Sequence, residues 1–238
     1  GTTLLQIENE FYGTIRPKRV IKPGERPLHA LRERGVEYVE VRLMDLDPFI
    51  PVGITAATMR FIDVFLLHCL LADSPPDTPA EIAALARNQH RTAASGREPG
   101  LLLERNGENV ALMDWALDLV DQCAPIAAAM DAANGGALYA DAVASAKHAL
   151  QHPDTLPSAR VLAAVINDYD KSFVGFIRAQ SAKTREALLA LPFTSDQQTR
   201  FEQMTTTSVA EQKEIEANDT MPFEIYRQQY VSAARLNV

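Results

Sequence analysis

The first part of the chain alternates between apolar and polar residues, which is the pattern of a β-strand with one buried and one exposed face. Over residues 4–16 one parity is mostly apolar, from Leu5 to Ile15, and the other parity is polar. The polar positions are Gln6, Glu8, Glu10, Tyr12, Thr14 and Arg16. Pro17 lacks an N–H group for pairing with a neighbouring strand, so it is expected to close this one.

A second alternating segment lies at residues 37–43, after a basic loop with a Pro-Gly turn and a short helix at about residues 28–34. Tyr38, Glu40 and Arg42 share one face of this segment, and the opposite face is mainly apolar. No later segment alternates as cleanly. A small sheet is therefore expected at this end of the chain.

Farther along the chain, apolar residues recur every three to four positions, which is the spacing of amphipathic helices. The first such helix is expected over residues 55–72, with one stripe of buried side chains. Thr78 followed by Pro79 is typical of a capped helix start. The pair Asn106-Gly107 can turn a short hairpin. The expected buried stripe consists of Met59, Ile62, Leu66 and Cys69 with Leu70.

More helices are expected at about 112–132, 137–151, 158–168, 171–190, 195–217 and 222–235. Three threonines, Thr205–Thr207, lower helix propensity and mark a place for a break. The predicted fold class is α+β, with a small antiparallel sheet fragment at the N-terminal end followed by a mostly helical body. Residues 1–53 are the expected strand segment, and residues 54–238 are the expected helical body, either in the same domain or as a C-terminal subdomain.

Composition indicates an ordinary globular protein. Of the 238 residues, 47% are hydrophobic and 23% are charged, which provides enough apolar material for a core. The net charge of −8 argues against a nucleic-acid partner, because such partners select basic surfaces. The longest uncharged apolar runs reach about half of the ~20 residues that a membrane span needs, so no membrane partner is expected.

The cysteines indicate the cellular location of the protein, and the first residues indicate whether the chain is part of a longer one. Cys69 and Cys123 have no metal-ligand or disulfide-framework spacing, which favours a reducing, cytoplasmic location. The chain begins Gly1-Thr2-Thr3 without an initiator Met or the pattern of a signal peptide. It is therefore expected to be a piece of a longer protein.

The polar face of the two predicted strands is the strongest candidate for chemistry. A solvated sheet face also alternates, but this one combines aromatic hydroxyls with acids and arginines. Glu40 and Arg42 place a carboxylate and a guanidinium side by side. A carboxylate is an oxygen ligand suited to Mg²⁺, and a guanidinium offers planar donors to phosphate. Together these groups suit phosphoryl transfer, although the Glu-x-Arg pattern alone is common.

Two stretches of the chain resemble signature sequences of the bacterial, proteobacterial-type glutamate–cysteine ligases: LLQIENEFYGTIRPKR (residues 4–19) and GVEYVEVRLMDLDPF (residues 35–49). The family is also called the γ-glutamylcysteine synthetases. Weaker similarities occur at Asn88, Arg91, GREPG (96–100), NGG (134–136), SARVL (158–162) and EANDTMPF (216–223). The resemblance is to the C-terminal half of the family's longer chains.

The resemblance implies a glutamine-synthetase-like fold, in which a curved antiparallel sheet carries the active site on its concave face. It implies that residues 6–16 and 37–43 are strands of that sheet. It also implies an ATP-dependent ligation of L-glutamate to L-cysteine through γ-glutamyl phosphate, with Mg²⁺, as the first step of glutathione synthesis. The missing N-terminal half is then an expected partner.

The resemblance also implies roles for individual residues. Glu40 matches a magnesium ligand, and Arg42 matches the arginine that contacts the transferred phosphoryl group. Tyr12 matches a tyrosine of the cysteine pocket. No role is assigned to Glu8, Glu10, Arg16, Lys18 or Arg97, which lie in the same similar stretches.

Other interpretations stay open at this point. Glu40 and Arg42 also fit a surface salt bridge, and Tyr12 fits an aromatic cover for the sheet edge. A related carboxylate–amine ligase with another amine acceptor is one alternative function. A non-catalytic helical interaction module is another, although such a module has no need of a charged strand face.

Overall fold

The structure is a computed structural model that describes residues 10–22, 24–42 and 44–232. The chain divides into two compact units. Residues 1–45 and 191–238 form the first, which we call the sheet unit, and residues 46–190 form the second, the helical unit.

The elements of the described residues follow in chain order. The first half contains β1 (Ile15–Lys18), α1 (Pro27–Arg34), β2 (Tyr38–Val41), α2 (Ala56–Leu71), α3 (Pro79–Ser95), β3 (Leu102–Arg105) and β4 (Glu108–Ala111). The second half contains α4 (Leu112–Asn134), α5 (Leu138–Gln151), α6 (Pro157–Asp168), α7 (Phe173–Leu189), α8 (Ser195–Asn218) and α9 (Phe223–Tyr230). The expected α+β class, with a small antiparallel sheet followed by a mostly helical body, is confirmed.

The first strand begins later than the alternation predicts. Residues 4–9 lie outside the described part of the chain, residues 11–14 are not in a strand, and β1 occupies Ile15–Lys18. The second strand is close to its predicted position, at Tyr38–Val41, and Leu43 lies outside the described residues. The two strands pair antiparallel.

The expectation that Pro17 ends the first strand is wrong, because Pro17 lies inside β1 opposite Val39. The carbonyls of Thr14 and Lys18 accept hydrogen bonds from the second segment. Pro17 has the opposite parity, so its nitrogen faces away from β2, where no N–H is needed for this pairing. A proline is tolerated at such an edge position.

The end of the described chain is anchored to the beginning of α1. Arg26, which precedes α1, is only 2% exposed. Its guanidinium donates a hydrogen bond of 2.8 Å to the Tyr230 carbonyl, and its Cζ lies 4.8 Å from the centre of the Tyr230 ring. This contact fixes α9 within the sheet unit.

The core of the helical unit lies where α2, α4 and α5 meet. Its buried residues are Val64, Val120, Cys123, Ala127 and Val143. The buried stripe predicted for α2 is wrong, since Met59, Cys69 and Leu70 are exposed. The side of α2 that packs in the core instead carries Phe61, Val64 and Phe65. Because α2 is apolar on several sides, its sequence permits more than one stripe.

Several local signals act as the sequence predicts. The Thr78 hydroxyl accepts a hydrogen bond of 3.2 Å from the Glu81 N–H at the start of α3. Asn106 and Gly107 turn the β3–β4 hairpin, and both adopt the positive φ angles that such a tight turn requires.

The expected break at Thr205–Thr207 is wrong, because α8 is continuous from Ser195 to Asn218. The hydroxyls of Thr205 and Thr206 donate to the carbonyls one turn earlier, at Phe201 and Glu202. These bonds satisfy the threonine side chains without interrupting the helix. Within the described residues, no helix is long and apolar enough to cross a membrane.

Candidate functional site

The strand pair of the sheet unit positions four charged side chains close together. The register places Arg16 directly opposite Glu40, and Lys18 opposite Tyr38. Residues that face each other across antiparallel strands project from the same side of the sheet. Arg42 follows β2 and keeps the same parity as Glu40. We call Arg16, Lys18, Glu40 and Arg42 the charged face.

Glu40 is the only carboxylate of the charged face, and two cations contact it. Its Oε1 accepts a hydrogen bond of 3.1 Å from Nη2 of Arg42. Its Oε2 lies 3.2 Å from Nζ of Lys18, without an aligned hydrogen bond. The hydrogen bond from Arg42, followed by the contact with Lys18, lowers the pKa of Glu40 below its usual value. Glu40 is therefore ionised at neutral pH.

Tyr12 lies beside the charged face although it belongs to no strand. The centre of its ring is 5.3 Å from Cζ of Arg42 and 6.0 Å from Cζ of Arg16. The Tyr12 side chain is 74% exposed. Tyr12, Glu40 and Arg42, the three residues selected from the sequence, are thus brought together. The strand parity that suggested Tyr12 is not what positions it.

The charged face is electrostatically suited to an anion. The charged face has three cationic side chains and one carboxylate, which only Lys18 and Arg42 contact, so positive charge is in excess. The Nε atom of Arg42 is shielded from solvent and has no hydrogen-bond partner among the described residues. A ligand that accepts a hydrogen bond from such a buried donor removes the free-energy cost of leaving it unpaired.

The described residues contain no group of three or more His, Cys, Asp or Glu side chains placed to hold a metal ion. Glu40 offers one carboxylate, and its Oε2 lacks an aligned hydrogen-bond donor. Mg²⁺ typically takes one or two protein carboxylates and completes its shell with phosphate oxygens and water. Glu40 fits the role of one such ligand. Glu8 lies outside the described residues.

A network that the sequence did not reveal supports the connection between β1 and β2. Arg34 of α1 donates hydrogen bonds to both carboxylate oxygens of Glu25, at 2.5 and 2.8 Å, and another to the Val20 carbonyl. The Val20 N–H donates to Glu37, just before β2. The hydrogen bonds from Arg34 lower the pKa of Glu25 to about 2. Glu25 and Arg34 are nine residues apart, too far for a short-range sequence pattern to predict that they pair.

Two further residues of the similar stretches lie in the helical unit, Arg97 and Asp47. Arg97, of the GREPG stretch, borders a cavity of about 460 Å³ whose lining includes Leu101, Leu112, Leu117 and Leu150. Asp47 accepts a hydrogen bond of 2.9 Å from the Phe49 N–H. This is the turn geometry typical of an aspartate at the start of a loop.

Comparison with known proteins adds independent information to this geometry. A family model described as glutamate-cysteine ligase matches residues 1–92, which include Tyr12 and the whole charged face. The glutamate–cysteine ligase of Janthinobacterium sp. (strain Marseille) is 46% identical over 230 residues, covering 97% of this chain and 43% of that protein. The corresponding protein of Azotobacter vinelandii is 44% identical over 224 residues, covering 94% of this chain and 42% of its own length.

A comparison with solved structures also finds a glutamate–cysteine ligase. A crystal structure of the Francisella tularensis glutamate–cysteine ligase, in complex with AMP, superposes with a TM-score of 0.87 at 33% identity. The match covers 97% of this chain and 45% of that one. This chain resembles the glutamate–cysteine ligases over nearly its whole length. It spans less than half the length of the curated ligases that it matches.

Proposed function

We propose that this chain forms part of an ATP-dependent glutamate–cysteine ligase, which joins the γ-carboxylate of L-glutamate to the amine of L-cysteine. The observation that carries the proposal is the convergence of Tyr12, Glu40 and Arg42 in a chain similar to such ligases. The similar Francisella protein binds a nucleotide, AMP, which supports a nucleotide substrate here.

The proposed reaction has two steps. An oxygen of the glutamate γ-carboxylate attacks the γ-phosphorus of ATP, and ADP leaves. The cysteine amine then attacks the carbonyl carbon of γ-glutamyl phosphate, the amine loses a proton, and phosphate leaves with the electrons of the broken C–O bond. Phosphate is a far better leaving group than the oxide or hydroxide that an unactivated carboxylate would have to expel.

Arg42 is the proposed contact for the phosphoryl group during its transfer. Its guanidinium remains charged at any physiological pH and presents planar donors that match phosphate oxygens. The contacts with Glu40 and the Tyr12 ring fix its direction before a substrate arrives. Such fixed donors stabilise charge that develops in the transition state and need no reorganisation during the reaction.

Glu40 is the proposed magnesium ligand of this chain. When bound, Mg²⁺ supplies charge screening for the phosphate oxygens. Glu40 itself remains anionic because Arg42 and Lys18 hold its pKa low. Its two oxygens point toward different cations, so the carboxylate is fixed in orientation. The remaining ligands of such an ion would come from outside the described residues.

Tyr12 is proposed to line the pocket for cysteine. Its ring packs against the Arg42 guanidinium, which places its other surface at the border of the phosphoryl site. The exposure of this side chain leaves its face and hydroxyl available to a substrate. A pocket wall beside the transferred phosphoryl group brings the attacking amine near the acyl phosphate, which is the positioning that the second step requires.

The proposed partner is the rest of the enzyme, the N-terminal half, which would extend the β1–β2 sheet. A sheet of two strands is marginal by itself, and Ile15, Val39 and Val41 are 39–47% exposed. Burial of these side chains by further strands would be favourable. The proposed location is the cytoplasm, in agreement with the free thiols of Cys69 and Cys123.

A product assay tests this function. The full-length protein that contains this chain is incubated with ATP, Mg²⁺, L-glutamate and L-cysteine, and ADP, phosphate and γ-glutamylcysteine are quantified. Equal amounts of the three products are expected, and omission of glutamate should abolish them. Product formation with another amine but not with cysteine would overturn the assignment of the acceptor. No nucleotide cleavage under any of these conditions would overturn the proposed ligase activity.

A further inference from the structure

Arg16 is the cation of the charged face for which the described residues provide no carboxylate partner. It lies directly opposite Glu40 in the β1–β2 register, which is the arrangement in which an Arg–Glu pair usually forms. Within the described part of the chain, however, the contacts of its guanidinium are with aromatic rings, those of Phe11 and Tyr12.

Glu40 instead contacts two other cations of the charged face. Its Oε1 is occupied by Arg42 and its Oε2 by Lys18, at 3.1 and 3.2 Å. Lys18 reaches Glu40 diagonally across the two strands, and Arg42 reaches it from two residues farther along the same segment. Arg16 is thus a half-buried residue whose guanidinium carries five donors, and among the described residues none of them has an anionic acceptor.

The aromatic contacts orient the Arg16 side chain but do not accept hydrogen bonds from its guanidinium N–H groups. Its Cζ lies 5.8 Å from the Phe11 ring centre and 6.0 Å from the Tyr12 ring centre. Contacts of this kind attract a cation to the ring face but accept none of its N–H hydrogen bonds in the plane of the guanidinium. The donors therefore remain available to a planar or tetrahedral oxyanion, which guanidinium groups bind with two parallel hydrogen bonds.

Tyr12 lies beside two guanidinium groups, those of Arg16 and Arg42. Its ring is near both Arg16 and Arg42, so the two guanidinium groups border one aromatic side chain. If Arg42 contacts the transferred phosphoryl group, Arg16 lies beside that position and is suited to a second oxyanion. The substrates of the proposed reaction carry such groups, namely the carboxylates of the amino acids and the other phosphates of ATP.

We infer that Arg16 binds an oxyanion of a substrate, a carboxylate or a phosphate, in a subsite next to that of Arg42. This inference rests on the proposed function. Arg16 binds and positions this group, whereas Arg42 contacts the group being transferred. The inference makes Arg16 a determinant of substrate affinity and leaves the chemical step to the other residues.

The test compares Arg16→Met, Arg16→Lys and the control Arg19→Met in the full-length protein. Methionine keeps much of the apolar stem and removes the charge. Arg19 is a suitable control because it is similarly half-buried but already pairs with Glu37, at 3.5 Å. Initial rates are measured while ATP, glutamate and cysteine are varied in turn.

Arg16→Met should raise the KM of one substrate about tenfold to a hundredfold, with a smaller rise for Arg16→Lys and none for Arg19→Met. The affected substrate identifies the source of the oxyanion: ATP for a phosphate, glutamate or cysteine for a carboxylate. Equal melting temperatures of the three variants and the unmodified protein exclude a folding effect. If all three KM values of Arg16→Met stay within twofold of the original, the inference is wrong.

A binding measurement separates this inference from the proposed function. The unmodified protein, Arg16→Met and Arg19→Met are titrated calorimetrically at low salt with inorganic tripolyphosphate and with glutarate. Loss of at least tenfold affinity for either probe in Arg16→Met alone supports the oxyanion subsite even if no ligation is observed. Unchanged affinity of Arg16→Met for both probes overturns the subsite, even if the ligase reaction itself is confirmed.

Discussion

The ring of Tyr12 lies against the guanidinium of Arg42, with 5.3 Å between the ring centre and Cζ. Tyr12 precedes β1 and Arg42 follows β2, so the pairing of the two strands creates this contact. The guanidinium is thereby held from one side by an aromatic ring and from another by Glu40. A cation restrained in this way is ready to receive an anion without a conformational search.

Substitution of Tyr12 should affect cysteine more than ATP. Tyr12→Phe keeps the ring that packs on Arg42 and removes the hydroxyl, so the KM for cysteine should rise by up to about tenfold while kcat changes little. Tyr12→Ala removes the ring as well and should also lower kcat. Steady-state kinetics with cysteine varied at saturating ATP and glutamate measures both effects. A cysteine KM that both variants leave unchanged would remove Tyr12 from the pocket.

Glu40→Gln should lower the ligase turnover by about a hundredfold to a thousandfold, because it removes the one anionic ligand that the charged face can offer to Mg²⁺. The amide also leaves Lys18 and Arg42 without an anionic partner. Glu33→Gln is the matched control, since Glu33 is exposed on α1. The measurement is kcat as a function of Mg²⁺ concentration. Wild-type turnover of Glu40→Gln at saturating Mg²⁺ and ATP would contradict the assignment.

The pair of Glu25 and Arg34 should make the stability of the sheet unit depend on acidic pH. The pKa of Glu25 is lowered from 4.5 to about 2 by its hydrogen bonds with Arg34. The folded state therefore binds this proton less readily than the unfolded state does. The resulting stabilisation is complete above about pH 4.5 and is lost as the pH falls toward 2.

Glu25→Gln removes this linkage. Melting temperatures measured from pH 2 to pH 7 should show a smaller difference between Glu25→Gln and the unmodified protein at pH 2 than at pH 7. Arg34→Gln should show the same convergence, because either variant breaks the same pair. A difference that stays constant across this range would show that Glu25 is not linked to folding in this way.

In the helical unit, Asn88 joins α3 to the β3–β4 hairpin. Its amide nitrogen donates to the Glu104 carbonyl at 2.7 Å, and its amide oxygen accepts from the Glu104 N–H at 2.8 Å. Asn88→Ala should lower the free energy of unfolding by about 1–3 kcal/mol, because it leaves the partly buried N–H and carbonyl of Glu104 without this partner. Asn109→Ala, at an exposed position of β4, is the control. Urea denaturation of both variants provides the comparison, and equal midpoints would contradict the role of Asn88.

The alternation of residues 37–43 was sufficient to place Glu40 and Arg42 on one face, because side chains two apart on a strand point the same way. The position of β1, the partner strand, was harder to predict. Alternation extended the predicted strand over residues 11–14, which are not in a strand, and ended it before Lys18. The β1–β2 register depends on hydrogen bonds between distant segments. For that reason neither the contact of Lys18 with Glu40 nor the lack of a carboxylate partner for Arg16 among the described residues could be derived from spacing.

Helix positions were easier to predict than helix faces. Thr78 marked the beginning of α3, and Asn106-Gly107 marked a hairpin, because both signals act within a few residues. The buried side of α2 depends instead on where α4 and α5 pack, and Val64 is buried there while Met59 is exposed. The contact between Arg26 and Tyr230 likewise joins residues too far apart for any local pattern.

The most direct measurement is the ligase turnover of Arg42→Ala in the full-length protein, with Arg19→Ala as the control. The two side chains are similarly accessible, 32% and 27% exposed, and each contacts one glutamate. At saturating Mg²⁺ and substrates, Arg42→Ala should lose about a hundredfold to a thousandfold in kcat with an unchanged melting temperature, and Arg19→Ala should keep its rate. An Arg42→Ala variant that forms γ-glutamylcysteine at the wild-type rate would contradict the proposal that the charged face carries out phosphoryl transfer.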